Sequence, residues 1–177
     1  MAHYFCKGAG LEIGALCYPY LFNKDCKLKY ADIFENSKLR NILDDIPSEN
    51  LYDKKLVELD YILKPPKFFF EDIEDNKFDF VYSSHVLEHT PNPIAAIIEQ
   101  LRIVNKNGIV YAVLPNKRYT YDRLRKVTPA KDLIKKFENQ IFDHTVEEAL
   151  DVVKNSDTHK LYELHKEDAL EYAKEIK

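Results

Sequence analysis

Two histidines four residues apart, His85 and His89, follow the apolar run Phe78-Asp79-Phe80-Val81-Tyr82-Ser83-Ser84 and precede the turn Pro91-Asn92-Pro93. A strand that ends in small polar residues puts Ser84 and His85 at its carboxyl end, the edge where open α/β sheets bind ligands. An imidazole titrates near neutrality, so His85 is the first candidate for a general base and His89 the second. Their i, i+4 spacing would also suit a metal pair. No carboxylate occupies an obvious third-ligand position, however, so no metal is expected and Glu88 is read as a solvated helix residue.

Two further groups point to the same edge. Glu12-Ile13-Gly14 closes a short apolar strand, and Asp32 closes the next one, twenty residues after Glu12. Nucleoside-binding α/β proteins use that arrangement: glycine lets backbone approach the ligand, and an acid ending the following strand accepts hydrogen bonds from ribose hydroxyls. Gly8 and Gly10 mimic a dinucleotide fingerprint but precede their strand, where its glycines must follow. Lys117, Arg118, Tyr119, Tyr121 and Arg123 come after a fifth strand, and such cations and phenols suit an anionic or sugar substrate. Tyr20/Lys24 and Tyr162/Lys166 match the Tyr-x-x-x-Lys pair of short-chain dehydrogenases, but neither follows a strand as that reaction requires.

The elements that position these residues follow from the hydrophobic pattern. Strands are expected at 10–15, 27–33, around 57–62, 78–83 and 109–114, the last a continuous apolar run between Gly108 and Pro115 and therefore buried on both faces. Pro65-Pro66 punctuates the third. Helices are expected over 35–45, with Leu39, Ile42 and Leu43 at helical spacing, and over 94–104, with Ile94, Ile97, Ile98 and Leu101 on one face. From residue 130 the pattern is helical and charged, through Leu133, Ile134 and Phe137, then Val146 to Val153, and finally Leu161 to Tyr172. Alternating strands and helices predict an α/β fold, a Rossmann-like doubly wound, mostly parallel sheet of about five strands.

Composition sets the outer limits. The 177 residues, 45% hydrophobic, suffice for one core and one domain, divided into a Rossmann-like part over 1–130 and a helical extension over 131–177. With 26 basic against 30 acidic residues and a net charge of −4, no global field recruits nucleic acid or an anionic membrane. Cys6, Cys17 and Cys26 lack paired zinc-site spacing and stand without a signal-peptide core, so a reduced, cytoplasmic, soluble protein is expected.

The Glu-Ile-Gly turn, Asp32, the segment from Phe78 to His89 and the stretch Leu101-Arg102-Ile103-Val104-Asn105-Lys106-Asn107-Gly108-Ile109 together resemble the class I S-adenosylmethionine-dependent methyltransferases. The small bacterial members associated with surface-glycan or capsule assembly look most similar, through Gly-Leu-Glu-Ile-Gly-Ala-Leu near the start and Leu-Pro-Asn-Lys-Arg-Tyr-Thr-Tyr-Asp at 114–122. The resemblance spans about residues 8 to 130. It implies S-adenosyl-L-methionine as cofactor. Glu12 would organise its methionine amino end, Gly14 and Ala15 would give close backbone contact, and Asp32 would bind the ribose. Ile33, Asp60, Asp72 and Ile73 would surround the adenine, and Ser84 and His85 would line the transfer site. Lys117, Arg118, Tyr119 and Tyr121 would meet a sugar, phosphorylated sugar or glycan precursor.

This chain departs from the family pattern in two places. The second glycine of the cofactor loop is replaced, leaving Gly14-Ala15-Leu16. The final β-hairpin is replaced by, or gives way to, a helical segment, so the C-terminal helices or a second subunit are expected to cover the edge of the fifth strand. Three functions stay open: an active methyltransferase, a catalytically inactive binding or assembly module of the same fold, and an NAD-dependent oxidoreductase, the last disfavoured by the sparse glycines after Glu12.

Overall fold

The computed structural model describes residues 2–44, 55–63 and 70–157. The expected punctuation at Pro65-Pro66 and the helical pattern from Leu161 to Tyr172, with its Tyr162/Lys166 pair, lie outside them. The chain divides into two compact units, 1–114 and 115–177, a break earlier than the expected one at 130.

The first unit is a five-stranded sheet in the order β3-β2-β1-β4-β5, built from β1 (Ala9–Ile13), β2 (Lys27–Asp32), β3 (Tyr61–Ile62), β4 (Phe78–Ser84) and β5 (Val104–Val113). Every pairing is parallel. The flanking helices are α1 (Ala2–Phe5), α2 (Asn36–Asp44) and α3 (Pro93–Ile103). This is the Rossmann-like doubly wound fold that the alternating pattern predicts. The chain runs outward from β1 through β2 to β3, then returns to β4 on the other side of β1. The switch point, and hence the ligand crevice, lies at the carboxyl ends of β1 and β4.

Alternation along the strands feeds two cores. Leu11 and Ile13 of β1 join Ala31, Val81, Ile73 and Ile103 on one face. On the other, Phe80 and Tyr82 pack with Cys6, Tyr20, Phe22 and Tyr111. Gly10 serves this second core: a Cβ there would lie 2.1 Å from the Phe80 ring, so glycine is what lets the ring lie against β1. That is its structural role, at the amino half of the strand and away from any phosphate.

Three expectations are corrected. The third strand is only Tyr61–Ile62; residues 55–60 run beside β2 without laddering, held by Asp60 N–H donating to Tyr30 O at 2.9 Å. The fifth strand starts at Val104, directly after α3, and is a half-exposed edge strand rather than one buried on both faces. Its polar start, Asn105-Lys106-Asn107, hides it from a hydrophobicity pattern, because an edge strand needs no apolar residues there. The helix α3 turns its isoleucine-rich face outward: Ala95, Gln100 and Ile103 are buried, whereas Ile97, Ile98 and Leu101 are 38%, 48% and 57% exposed. The helix is apolar almost all round, so periodicity alone cannot choose its inner face. Its start is fixed locally by Asn92, whose Oδ1 accepts the Ala95 N–H at 3.1 Å, with Pro93 in the first turn.

The second unit carries two short 3₁₀ turns, Lys117–Tyr119 and Tyr121–Leu124, then α4 (Ala130–Glu138) and α5 (Val146–Asn155). Arg125 donates to Asp151 at 2.8 Å and to Asp122 at 2.9 Å, tying the second turn to α5. Among the described residues no strand follows β5, and no helix is long and apolar enough to cross a membrane.

Candidate active site

The parallel register puts one carboxylate at the centre of the crevice. Glu12 lies opposite Tyr30 of β2 and Tyr82 of β4, and Tyr82 lies opposite Tyr111 of β5. Paired residues share a sheet face, so Tyr30, Glu12, Tyr82 and Tyr111 form one row across the carboxyl half of the sheet. Glu12 is 2% exposed. Its carboxylate oxygens accept the Tyr20 N–H at 2.9 and 3.2 Å, and among the described residues no basic side chain pairs with it. Burial pushes its carboxyl up to about 7, against a smaller opposing effect of the Tyr20 hydrogen bond. Tyr30 and Tyr82 are also raised, by burial first and by the Glu12 charge second or later. A buried carboxylate with no cation beside it among the described residues is costly to ionise, in keeping with its raised value.

Gly14 follows Glu12-Ile13 with φ +72°, and a Cβ there would lie 2.7 Å from Val86 Cγ2. The ends of β1 and β4 therefore touch at a glycine, and its N–H donates to Ala31 O at 2.9 Å. Ala15 is buried. Leu16, where the family places a second glycine, adopts φ +51° and thus keeps the left-handed turn despite its side chain. It packs against Leu39 and Leu56, and its carbonyl accepts the Val57 N–H at 2.8 Å. That packing offsets the roughly 1 kcal/mol of left-handed strain.

The residues expected around ribose and adenine separate into two groups. Asp32 is buried, and its carboxylate accepts the Ile33 N–H at 2.7 Å and that of Phe34, capping the turn after β2. Burial raises its carboxyl more than those bonds lower it. Ile33 packs half-buried against the core, and Ile73 is fully part of it. Asp72 sits beside Ile73 in an exposed turn. Arg102 holds that turn, donating to Phe70 O and Ile73 O at 3.0 Å each while Glu99 and Asp75 keep its guanidinium above its ordinary value. Asp60 does not end the third strand but precedes it. It pairs with Lys29 and accepts the Tyr30 N–H at 3.0 Å, which makes it a tie between β2 and the incoming segment.

At the end of β4, the hydroxyls of Ser84 and Tyr82 are hydrogen-bonded, so Ser84 belongs to the tyrosine face. His85 leaves the strand with φ +56°, its N–H donating to Val113 O at 3.0 Å and its side chain 61% exposed. A non-glycine residue in this conformation is a strain often found at functional sites. Glu88, expected as a solvated helix residue, is exposed on a 3₁₀ turn, and its Oε1 lies 3.5 Å from His85 Nδ1 and 3.9 Å from His89 Nε2. Among the described residues no group of three or more His, Cys, Asp or Glu side chains is placed to hold a metal ion.

Lys117, Arg118, Tyr119 and Tyr121 fall in the second unit. Lys117 Nζ donates to Arg123 O at 2.9 Å, so its charge is partly spent within the turn. Arg118 and Tyr119 are exposed, and Tyr121 O accepts the Asp157 N–H at 2.7 Å. Sequence reasoning missed Tyr20, Tyr30 and Tyr82 as walls of the Glu12 site. The alternation Phe80-x-Tyr82 was the available signal, because it places an aromatic on the same face as Glu12.

The fold is a Rossmann-like, five-stranded parallel sheet. Residues 52–112, about a third of the chain, match the family model described as a methyltransferase domain. The match includes Ser84, His85 and His89 but not Glu12, Gly14 or Asp32. The chain is 13% identical to a putative sarcosine dimethylglycine methyltransferase from Galdieria sulphuraria, covering 99% of this chain and 74% of that one with a TM-score of 0.47. It is 17% identical to an arsenic(III) S-adenosylmethionine methyltransferase from Chlamydomonas reinhardtii, covering 58% and 37%, TM-score 0.39. To a putative S-adenosyl-L-methionine-dependent methyltransferase from Methanococcus maripaludis it is 19% identical, covering 62% and 49%, TM-score 0.40. The chain thus spans less than half the length of the last two. No curated protein sequence matches it.

Proposed function

We propose that the chain is an S-adenosylmethionine-dependent methyltransferase acting on a small polar acceptor, a sugar, phosphorylated sugar or glycan precursor. The observation that carries this is the methyltransferase-domain match over the segment bearing His85, set beside a buried Glu12 that pairs with no basic side chain among the described residues. When bound, S-adenosylmethionine supplies an electrophilic methyl group on a sulfonium. Glu12 receives the cofactor's ammonium, Gly14 and Ala15 allow backbone approach, and Asp32 accepts hydrogen bonds from ribose hydroxyls with the lone pairs its own turn leaves over. Ile33 and Ile73 flank the adenine, with Asp72 at its amino group. His85 takes the proton from an acceptor hydroxyl at the open end of β4, with His89 behind it.

A homodimer covering the outer edge of β5 and a reducing, cytoplasmic setting for the three free thiols complete this reading. The catalytically inactive alternative drew on Leu16, and the left-handed turn it keeps weakens that objection. Calorimetry with S-adenosylmethionine and S-adenosylhomocysteine, followed by labelled-methyl transfer to a panel of phosphorylated hexoses, tests the proposal. Cofactor binding with transfer supports it; binding without transfer to any polar acceptor favours the inactive module, and the absence of binding refutes both the cofactor and the reaction.

A further inference from the structure

Glu88 lies on an exposed turn whose backbone is well fixed. It sits in the middle of the 3₁₀ turn Leu87–His89, whose first residue is buried and whose Leu87 carbonyl accepts both the Thr90 N–H at 3.2 Å and the Thr90 hydroxyl at 2.8 Å. The His89 N–H closes onto Val86 O at 3.0 Å. On the other side, His85 is locked by its bond to Val113 O and its left-handed backbone. The two imidazoles therefore approach the same carboxylate oxygen from two directions, His85 through Nδ1 at 3.5 Å and His89 through Nε2 at 3.9 Å.

A neutral imidazole carries one proton, and a carboxylate beside one nitrogen keeps the proton there. With Glu88 at Nδ1, the lone pair of His85 is left on Nε2, the nitrogen free to accept a proton from an alcohol. We propose that Glu88 is a positioning residue that holds His85 in its Nδ1–H tautomer and orients its Nε2 as the accepting atom. This rests on the reading of His85 as the base. Proton balance is simple: Nε2 takes the acceptor's proton, giving an imidazolium whose second N–H faces Glu88, and the proton leaves to water when the site reopens. His89, on the far side of the same oxygen, limits the rotamers open to Glu88.

The test is ¹⁵N-histidine NMR of the full chain at pH 8, where an ordinary imidazole is neutral, with His85 assigned by the signals lost in His85→Asn. The wild type is expected to show His85 mainly as Nδ1–H. In Glu88→Ala that fraction falls about threefold, the size of an exposed charged contact, and Glu88→Asp restores part of it. A merely structural role would leave the tautomer unmoved. An Nε2–H tautomer in the wild type, or no change in Glu88→Ala with the amide spectrum otherwise preserved, overturns the proposal. The reading of His85 as base fails separately: His85→Asn would then transfer a labelled methyl to phosphorylated hexoses at the wild-type rate whatever the tautomer result.

Discussion

Replacing Glu12 by Gln sets stability and binding against each other. The carboxyl moves from about 4.5 in the unfolded chain to about 7 in the fold because burial removes its hydration. Folding therefore favours the protonated form: the contribution is fully favourable below about pH 4.5 and is lost as pH rises to about 7. A shift of that size corresponds to about 3 kcal/mol between the two limits. The neutral Gln keeps an oxygen for the Tyr20 N–H and has no charge to bury. Urea unfolding at pH 4.5 and pH 8 should thus give a stability difference between Glu12→Gln and wild type that grows by about 3 kcal/mol in favour of the variant at the higher pH. Any fixed cost of the extra amide donors cancels in that comparison. At pH 8 the same variant should bind S-adenosylhomocysteine at least tenfold more weakly, because the ammonium loses its only counter-charge. Parallel unfolding profiles at the two pH values would refute the burial argument, and unchanged affinity would remove Glu12 from the cofactor site.

Other substitutions separate the structural ties from the ligand contacts. Asp32→Ala should weaken S-adenosylhomocysteine binding about tenfold by calorimetry, through lost ribose hydrogen bonds; unchanged affinity would mean the ribose lies elsewhere. Gly14→Ala adds a Cβ 2.7 Å from Val86 Cγ2 at φ +72°, and should lower stability by about 2 kcal/mol in chemical denaturation while weakening cofactor binding with it. Arg102→Ala frees the carbonyls of Phe70 and Ile73 and leaves the Glu99 carboxylate without its partner. A loss of about 2 kcal/mol is expected, with faster amide exchange confined to residues 70–76, which ordinary surface truncation would not produce.

The sequence made the sheet legible because apolar runs of strand length alternate with helical segments and end in Gly14, Asp32 and Ser84, whose types match the ligand edge of such sheets. It misjudged elements whose role depends on neighbours. The isoleucines of α3 have helical spacing, yet Ala95, Gln100 and Ile103 face inward, since a helix apolar on both sides carries no directional signal. Asp60 was named through the family resemblance, and its ion pair with Lys29 became visible only once β2 and the incoming segment were in place. Glu88 is exposed as the sequence suggested; what the sequence did not show is the left-handed His85 and the 3₁₀ turn that set both rings beside its carboxylate. Glu12 was named from the sequence; what lifts its carboxyl is burial, against the lowering effect of the Tyr20 hydrogen bond, and no linear motif announces that degree of burial.

The most direct measurement is a crystal structure of the full chain with S-adenosylhomocysteine, taken at pH 8 so that Glu12 is ionised. The account predicts the ligand across the carboxyl ends of β1 and β4, its ammonium on the Glu12 carboxylate, its ribose on Asp32 and its sulfur on the side of His85. Ligand bound away from Glu12 and Asp32, or a saturated crystal with none bound in this crevice, would contradict it.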